Sequence, residues 1–304
     1  MAVKASFYFF GTRSTVLLHQ QQQQRAGVVA CRWKSRQQAA MMLRIWHCVV
    51  RCGTVAFGSV EQQGSGNGIE ELDAKQKRQV SLFVDSLLDW NQRMNLTAVT
   101  ERDAIMERHI ADSLALLPIM ESAYSTHCLS ADKSDERLKV VDVGSGAGLP
   151  GLVLAIARPA WQVTLIESLQ KRCNFLEHAA EQSGLSNITI VRARAEECGT
   201  DERFREAYDV AMARAVAEMR ILSELCLPLV RVGGLFVAAK GPNPQKEVEV
   251  SRKAIRVLGA SLLSIATVAS EGPLGLRTAV VCHKQRPTPP KYPRSVGTPG
   301  KNPL

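Results

Sequence analysis

The stretch Val140-Val-Asp-Val-Gly-Ser-Gly-Ala-Gly-Leu-Pro-Gly151 constrains the fold of this chain more than any other part of it. A β-branched run meets three alternating glycines and then an apolar segment at 152–157, which reads as strand, tight turn and helix. Gly144, Gly146 and Gly148 let the backbone take positive φ and leave bare main chain against which a ligand can lie.

The rest of the chain is read from that turn outward. After residue 138 the pattern alternates. Strands are expected at 138–143, 162–166, 188–192, 209–213, 235–239, 262–267 and 278–283. Helices are expected at 152–157, 171–183 (with Gly184 as C-cap), 219–229 and 245–258. Strands separated by helices through short connections predict an α/β fold with a seven-stranded, mostly parallel, doubly wound sheet. The last two strands have no helix between them and suit an antiparallel pair. Upstream, Val80, Phe83, Val84, Leu87 and Leu88 mark one apolar helix face, ending at the turn-like Trp90-Asn-Gln-Arg-Met-Asn-Leu-Thr97. Thr100-Glu-Arg-Asp103 resembles a capping box that opens a second helix, with a stripe of Met106, Ile110, Leu114 and Leu117 closed by Pro118.

Charge divides the chain further. Residues 1–60 hold eight Lys and Arg and no acid, and 284–304 hold five more, again without an acid, although the net charge of the 304 residues is only +9. The segment between is therefore mildly acidic. An acid-poor, Arg- and Gln-containing N-terminus reads as an organellar transit peptide. The expected organisation is transit peptide 1–60, linker 61–69, N-terminal helical region 70–120, loop 121–137, sheet domain 138–285 and a basic tail, 286–304, with six prolines and little regular structure. Eight cysteines without a CxxC pair give no metal-ligand spacing and read as reduced thiols. No apolar run is long enough to span a bilayer, so neither a metal nor a membrane is expected.

Two ligands compete for the glycine loop. Gly146-Ala-Gly-Leu-Pro-Gly151 satisfies the G-x-G-x-x-G dinucleotide pattern, but it begins three residues after the strand. Aligned on Gly144, the third-glycine slot holds Leu149. Asp142-x-Gly-x-Gly-x-Gly is the form typical of S-adenosylmethionine (SAM) enzymes. An acid before the loop suits a cationic ligand better than a pyrophosphate, which favours SAM over NAD. Glu167, at the end of the next strand, suits the ribose hydroxyls of either cofactor. Ligands of open α/β sheets bind outside the carboxyl ends of the strands, and those ends carry Gly144, Glu167, Arg194-Ala195-Glu196, Arg214 and Lys240. Three of these five ends deliver a basic residue to one rim. On the second helix, Arg108, His109 and Asp112 are spaced to pair with one another.

The motifs Trp90–Thr97, Arg108-His-Ile-Ala-Asp-Ser113, Asp142–Gly151, Glu167-Ser-Leu-Gln-Lys-Arg172 and Ala213-Arg-Ala215 together resemble the RsmG (GidB) family, as does the tail from Thr288 to Leu304. The resemblance runs from about Leu72 to Leu304. Glu167 stands where Asp is common, and Gln170 where the family often has Gly. The resemblance implies a Rossmann-like SAM-dependent methyltransferase fold and methylation of guanine N7 in 16S-type ribosomal RNA. The implied partner is small-subunit rRNA or the small ribosomal subunit, met by a monomer. Cofactor contacts are implied at Gly144, Leu149, Ala195, Glu196 and Arg214, beside Asp142, Gly146, Gly148 and Glu167 of the loop reading. Substrate contacts are expected at Asn95, Arg108, His109, Arg172 and Lys240. Guanine N7 carries a lone pair and no proton, so no catalytic base is expected. A small-molecule SAM enzyme and a non-catalytic ribosome-assembly protein are the alternatives. The acid-poor N-terminus is expected to direct the protein to an organelle, the chloroplast or alternatively the mitochondrion.

Overall fold

A computed structural model describes residues 68–128, 137–214, 217–272 and 275–304, all within one compact unit, 64–304. The expected transit peptide and residues 61–67 of the linker lie outside the described residues.

Among the described residues seven strands form one sheet: β1 Lys139–Val143, β2 Gln162–Glu167, β3 Ile188–Arg192, β4 Tyr208–Arg214, β5 Val230–Lys240, β6 Ala260–Gly272 and β7 Gly275–Lys284. Their order is β3-β2-β1-β4-β5-β7-β6. The first five are parallel, and β7 runs antiparallel to both β5 and β6. This is the seven-stranded, mostly parallel, doubly wound sheet that the alternating pattern predicts, and its order reverses between β1 and β4. The parallel strands are covered on both faces. Val140 of β1 belongs to one apolar cluster, with Leu165, Met212 and Val237, and its neighbour Val141 to the other, with Ala211, Phe236 and Val280.

Helices α1 Ala74–Asn91, α5 Gly151–Ala157 and α6 Gln170–Gln182 contribute to the first cluster. α1 starts with a reciprocal capping box: Asp73 Oδ1 accepts from Gln76 N (2.7 Å), and Gln76 Oε1 accepts from Asp73 N (2.9 Å). The same Gln76 donates through Nε2 to the carbonyls of Ile156 and Ala157, so α1 is tied to the last turn of α5. α6 ends as expected at Gly184, whose φ of 62° lets its N–H and that of Leu185 close back on Glu181 and Ala180.

Three local expectations are corrected. Helix α2, Arg102–Ile105, is capped by the extended Glu101 without a side-chain bond, so Thr100 stands one residue outside the start and forms no capping box. The rod then passes through a π-helical turn, Met106–Ala111, into α3, Asp112–Leu114. Pro118 does not close it but opens α4, Leu117–His127, whose first turn needs no proline N–H. Residues 121–127 are therefore helical and not loop. Met120 and Tyr124 bury one face of α4, and Tyr124 donates to Asp209 Oδ1 at 3.0 Å. The remaining elements are α7 Ala195–Thr200, α8 Met219–Cys226, a 3₁₀ turn Leu227–Leu229, α9 Gln245–Val257 and α10 Thr298–Lys301. No helix among the described residues is long and apolar enough to cross a membrane, and none of their acidic, His or Cys side chains form a cluster fit for a metal.

The turn between β1 and α5 depends on Gly148. Its φ is +76°, and a Cβ there would meet Leu152 Cδ1 at 2.3 Å and Leu176 Cδ2 at 3.0 Å. Both leucines are fully buried. Gly148→Ala is expected to lower stability by about 2–4 kcal/mol, from left-handed strain and overpacking together. A thermal melt within 2 °C of the parent protein would contradict this.

Candidate functional site

Beyond the carboxyl ends of β1 to β4 lies a cavity of ≈ 660 Å³, within the size range of small-molecule sites. Gly144, Glu167, Arg172, Ala195, Glu196 and Arg214 are among the residues that line it. Ile166, Ile221 and Leu225 add apolar surface.

The glycine loop is built by hydrogen bonds that the motif residues make to one another. Gly144 N and Ser145 N both donate to Ile166 O, at 2.9 and 3.1 Å, which pins the loop to β2. The Glu167 carboxylate, 4% exposed, accepts from Gly146 N at 3.1 Å and from Leu169 N at 2.9 Å. Arg172 Nη1 lies 3.6 Å from the same carboxylate. Glu167 thus braces the loop and also lines the cavity.

Asp142 is placed differently from the expectation of direct ligand contact. Its side chain is 1% exposed and lies beneath the loop, where Oδ2 accepts from Gly151 N at 3.0 Å. The other oxygen, Oδ1, is buried without a hydrogen-bond partner. Burial pushes its pKa up to about 6, against the lowering effect of the Gly151 bond and the Arg214 charge. Leu149 is likewise packed into the core, and neither Gly146 nor Gly148 is among the cavity's lining residues. These four residues shape the loop from behind.

A second set of charges meets at Arg214. Its Nη1 lies 3.4 Å from Asp112 Oδ2 and donates to Ser113 Oγ at 3.4 Å. Asp112 is almost fully buried and accepts from Ser270 Oγ at 2.9 Å, with Arg277 Nε at 2.7 Å from its Oδ1 as an ion pair. One carboxylate therefore holds two guanidinium groups from β4 and β7 beside the cavity.

His109 follows in the π-helical turn. Its Nε2 is 2.7 Å from Thr97 Oγ1 and its Nδ1 is 3.0 Å from the Arg108 carbonyl. A carbonyl can only accept, so this geometry puts the proton on Nδ1 and leaves Nε2 to accept from Thr97. Burial, and then the Arg214 charge, hold the imidazole below its ordinary pKa, which agrees with a neutral ring. The expected pairing among Arg108, His109 and Asp112 is corrected. Arg108 is exposed, and Asp112 pairs across to Arg214 and Arg277. The π turn changes the spacing on which the helical pairing relied.

Of the other expected substrate contacts, Arg172 lines the cavity and Asn95 is exposed in the turn after α1. Lys240 is a correction. Its ammonium donates to Ala217 O (2.6 Å) and to Glu247 Oε1 (2.7 Å), an oxygen that also accepts from Met219 N. It fastens the start of α8 to the first turn of α9 and does not face the cavity. Sequence reasoning missed Arg277 and Ser270, because the β6–β7 hairpin extends well past the expected strand ends. It also missed Gly297, Pro299 and Gly300 of the tail, which line the cavity.

The chain is similar to several known proteins. The "Ribosomal RNA small subunit methyltransferase G" of Alkaliphilus metalliredigens is 40% identical over 242 residues, spanning 78% of this chain and 96% of its own. The protein of the same name from Bacillus cytotoxicus is 42% identical over 233 residues, spanning 77% of this chain and 92% of its own. A solved 16S rRNA (adenine(1408)-N(1))-methyltransferase mutant from Catenulisporales acidiphilia is 17% identical, covering 55% of this chain and 92% of that one, with a TM-score of 0.42. The profile described as GidB, rRNA small subunit methyltransferase G, matches residues 76–273. With a glycine loop braced by Glu167, a cavity at the carboxyl rim and this match, the chain belongs to the GidB family of small-subunit rRNA methyltransferases.

Proposed function

We propose that this protein uses SAM to methylate N7 of a guanine in small-subunit ribosomal RNA, inside an organelle and, of the two candidates, the chloroplast. The observation that carries the reading is the cavity itself. It brings two carboxylates, Glu167 and Glu196, three guanidinium groups, Arg172, Arg194 and Arg214, and the bare backbone of Gly144 around a space fit for a nucleoside-sized ligand. The buried, unpartnered Asp142 Oδ1 adds negative potential under the loop, which suits a cationic cofactor better than a pyrophosphate. The residues fit SAM. Gly144 and Glu167 would hold its ribose side, Ala195 and Glu196 its adenine, and Arg214 its carboxylate. When bound, SAM supplies an electrophilic methyl group.

The protein's own residues are left to bind and align. Guanine N7 presents an in-plane lone pair without a proton, so no side chain has to remove one. The Glu167 carboxylate is in any case committed to two backbone N–H groups. Alignment of two bound reactants lowers a barrier by about 7–11 kcal/mol in favourable cases. The exposed cations near the rim, Lys171, Arg192 and Arg194, with Arg172 at the cavity, offer contacts to RNA phosphates, which set affinity and not sequence. The acid-poor residues 1–60 support import.

The test is incubation of the full chain with methyl-labelled SAM and small-subunit RNA, then nucleoside digestion. Label is expected in 7-methylguanosine. Label in another nucleoside would overturn the proposed position, and SAM binding without transfer to any RNA would point to a non-catalytic RNA-binding protein.

The Asp142 carboxyl gives this reading a pH signature. Its folded pKa is raised, so the fold binds a proton more tightly than the unfolded chain, and this group's contribution to stability falls as pH rises from about 4 to about 6. A cationic ligand prefers the ionised form. SAM affinity is therefore expected to rise through pH 6, by up to about tenfold per pH unit below it. Calorimetric titration between pH 5 and 8 checks this. The same slope in Asp142→Asn would show that another group is responsible.

A further inference from the structure

The basic, proline-rich tail is not a loose end, and it is held at three levels. At its base, Thr288 is buried, donates N–H to Glu206 Oε1 at 2.6 Å, and accepts from the fully buried Lys284 Nζ at 2.7 Å. Along its length, Arg205 donates to the carbonyls of Thr288 and Tyr292, at 2.7 and 2.8 Å, and to Gly199 O at 2.6 Å. Further on, Arg294 makes a bidentate pair with Glu224 of α8, at 2.8 and 2.6 Å, while its backbone N–H donates to the same carboxylate. Glu224 is 0% exposed and Arg294 partly exposed, so this anchor ties an interior carboxylate to a guanidinium near the surface through several hydrogen bonds.

Those anchors deliver the tip to the cavity. Gly297 N donates to Glu196 Oε1 at 2.9 Å, and Gly297, Pro299 and Gly300 line the same ≈ 660 Å³ space as Gly144 and Glu167. Two residues without side chains and one compact proline ring make a low, apolar wall against which a planar heterocycle can lie. A carboxylate accepts up to about four hydrogen bonds, so Glu196 can hold Gly297 and an exocyclic amino group together.

Resting on the proposed SAM reading, we infer that the C-terminal strap 286–304 is a structural wall of the cofactor site, with Gly297, Pro299 and Gly300 closing it on the purine side and Gly297 orienting Glu196. The strap is a positioning element for the cofactor. Binding and seating are then coupled in both directions: an unseated tip weakens purine binding, and a bound purine holds the tip down.

The test compares the full chain with a variant ending at Ser295, which keeps Arg294 on Glu224 and so leaves no buried carboxylate unpaired. The probes are SAM, S-adenosylhomocysteine and adenosine by calorimetry, small-subunit RNA by filter binding, and methyl transfer. The variant is expected to lose tenfold or more in affinity for all three purine ligands, with RNA affinity changed less than twofold. In the full chain, saturating adenosine is expected to slow amide hydrogen exchange over residues 296–301 at least fivefold, a readout that stands even where the shortened chain folds poorly. Purine affinities within twofold of the full chain, or exchange unchanged by ligand, would overturn the inference and leave the proposed function standing. Adenosine binding that falls on truncation, in a chain that transfers methyl to no RNA, would overturn the proposed function and leave this inference standing.

Discussion

Glu167→Ala is expected to weaken SAM binding about a hundredfold and to lower the melting temperature as well. The Glu167 carboxylate is almost fully buried and is the acceptor for two backbone donors, Gly146 N and Leu169 N. Hydrogen bonds to a charged group contribute about 1.5–3 kcal/mol each, and removing the acceptor leaves both donors unpaired. One of them lies in the glycine loop and the other at the entry to α6, so the lining of the cavity loosens at both. The proposed ribose partner is lost in the same change. Glu167→Gln retains one carbonyl oxygen and is expected to lose only about tenfold, close to one charge-assisted bond. Calorimetry on both variants separates these effects. An alanine variant that binds SAM within threefold of the parent would remove Glu167 from the site.

The same residue shows why part of the site was legible in the sequence. Glu167 ends a β-branched strand, and strand ends in a parallel sheet reach the ligand rim whatever the packing above them. Hence Gly144, Glu167, Ala195, Glu196 and Arg214 were readable from periodicity and they do line one cavity. Lys240 followed the same rule and failed, because β5 is flanked by α8 and α9, whose Glu247 captures the ammonium. The direction of a side chain after a strand depends on partners far away in the chain. Asp142 was legible as an acid needed at the loop, but whether it faces the ligand or the Gly151 N–H turns on a few ångströms of loop path. All seven strands were readable as β-branched or apolar runs, whereas helix starts at Glu101 and Pro118 hinged on single residues, where one-position slips cost little locally. The tail was least legible. Its prolines exclude long helix and sheet, and the anchors that order it, Arg205, Glu206 and Glu224, come from segments 60 or more residues earlier.

Asp112 carries the other large effect, and it acts through Arg214 and not by touching a ligand. Its carboxylate is the common partner of Arg214 and Arg277 and accepts from Ser270. Asp112→Ala leaves two guanidinium groups facing one another, one of them 14% exposed. Breaking a buried pair costs about 3–5 kcal/mol, reduced to roughly 2–4 here because Arg277 is partly solvated. For a chain of this size the melting temperature is expected to fall by about 5–15 °C. Arg214 lines the cavity, so its release is also expected to raise KM for SAM and lower kcat. The diagnostic is the second substitution. Removing one cation with Arg277→Met relieves the repulsion that the first change created, so the double variant is expected to melt above Asp112→Ala alone. Lost packing around a shortened side chain would instead make the two losses add. A double variant no more stable than Asp112→Ala would therefore refute the charge-sharing account, and a single variant that melts within 2 °C of the parent would show that the carboxylate does not hold the two arginines in place.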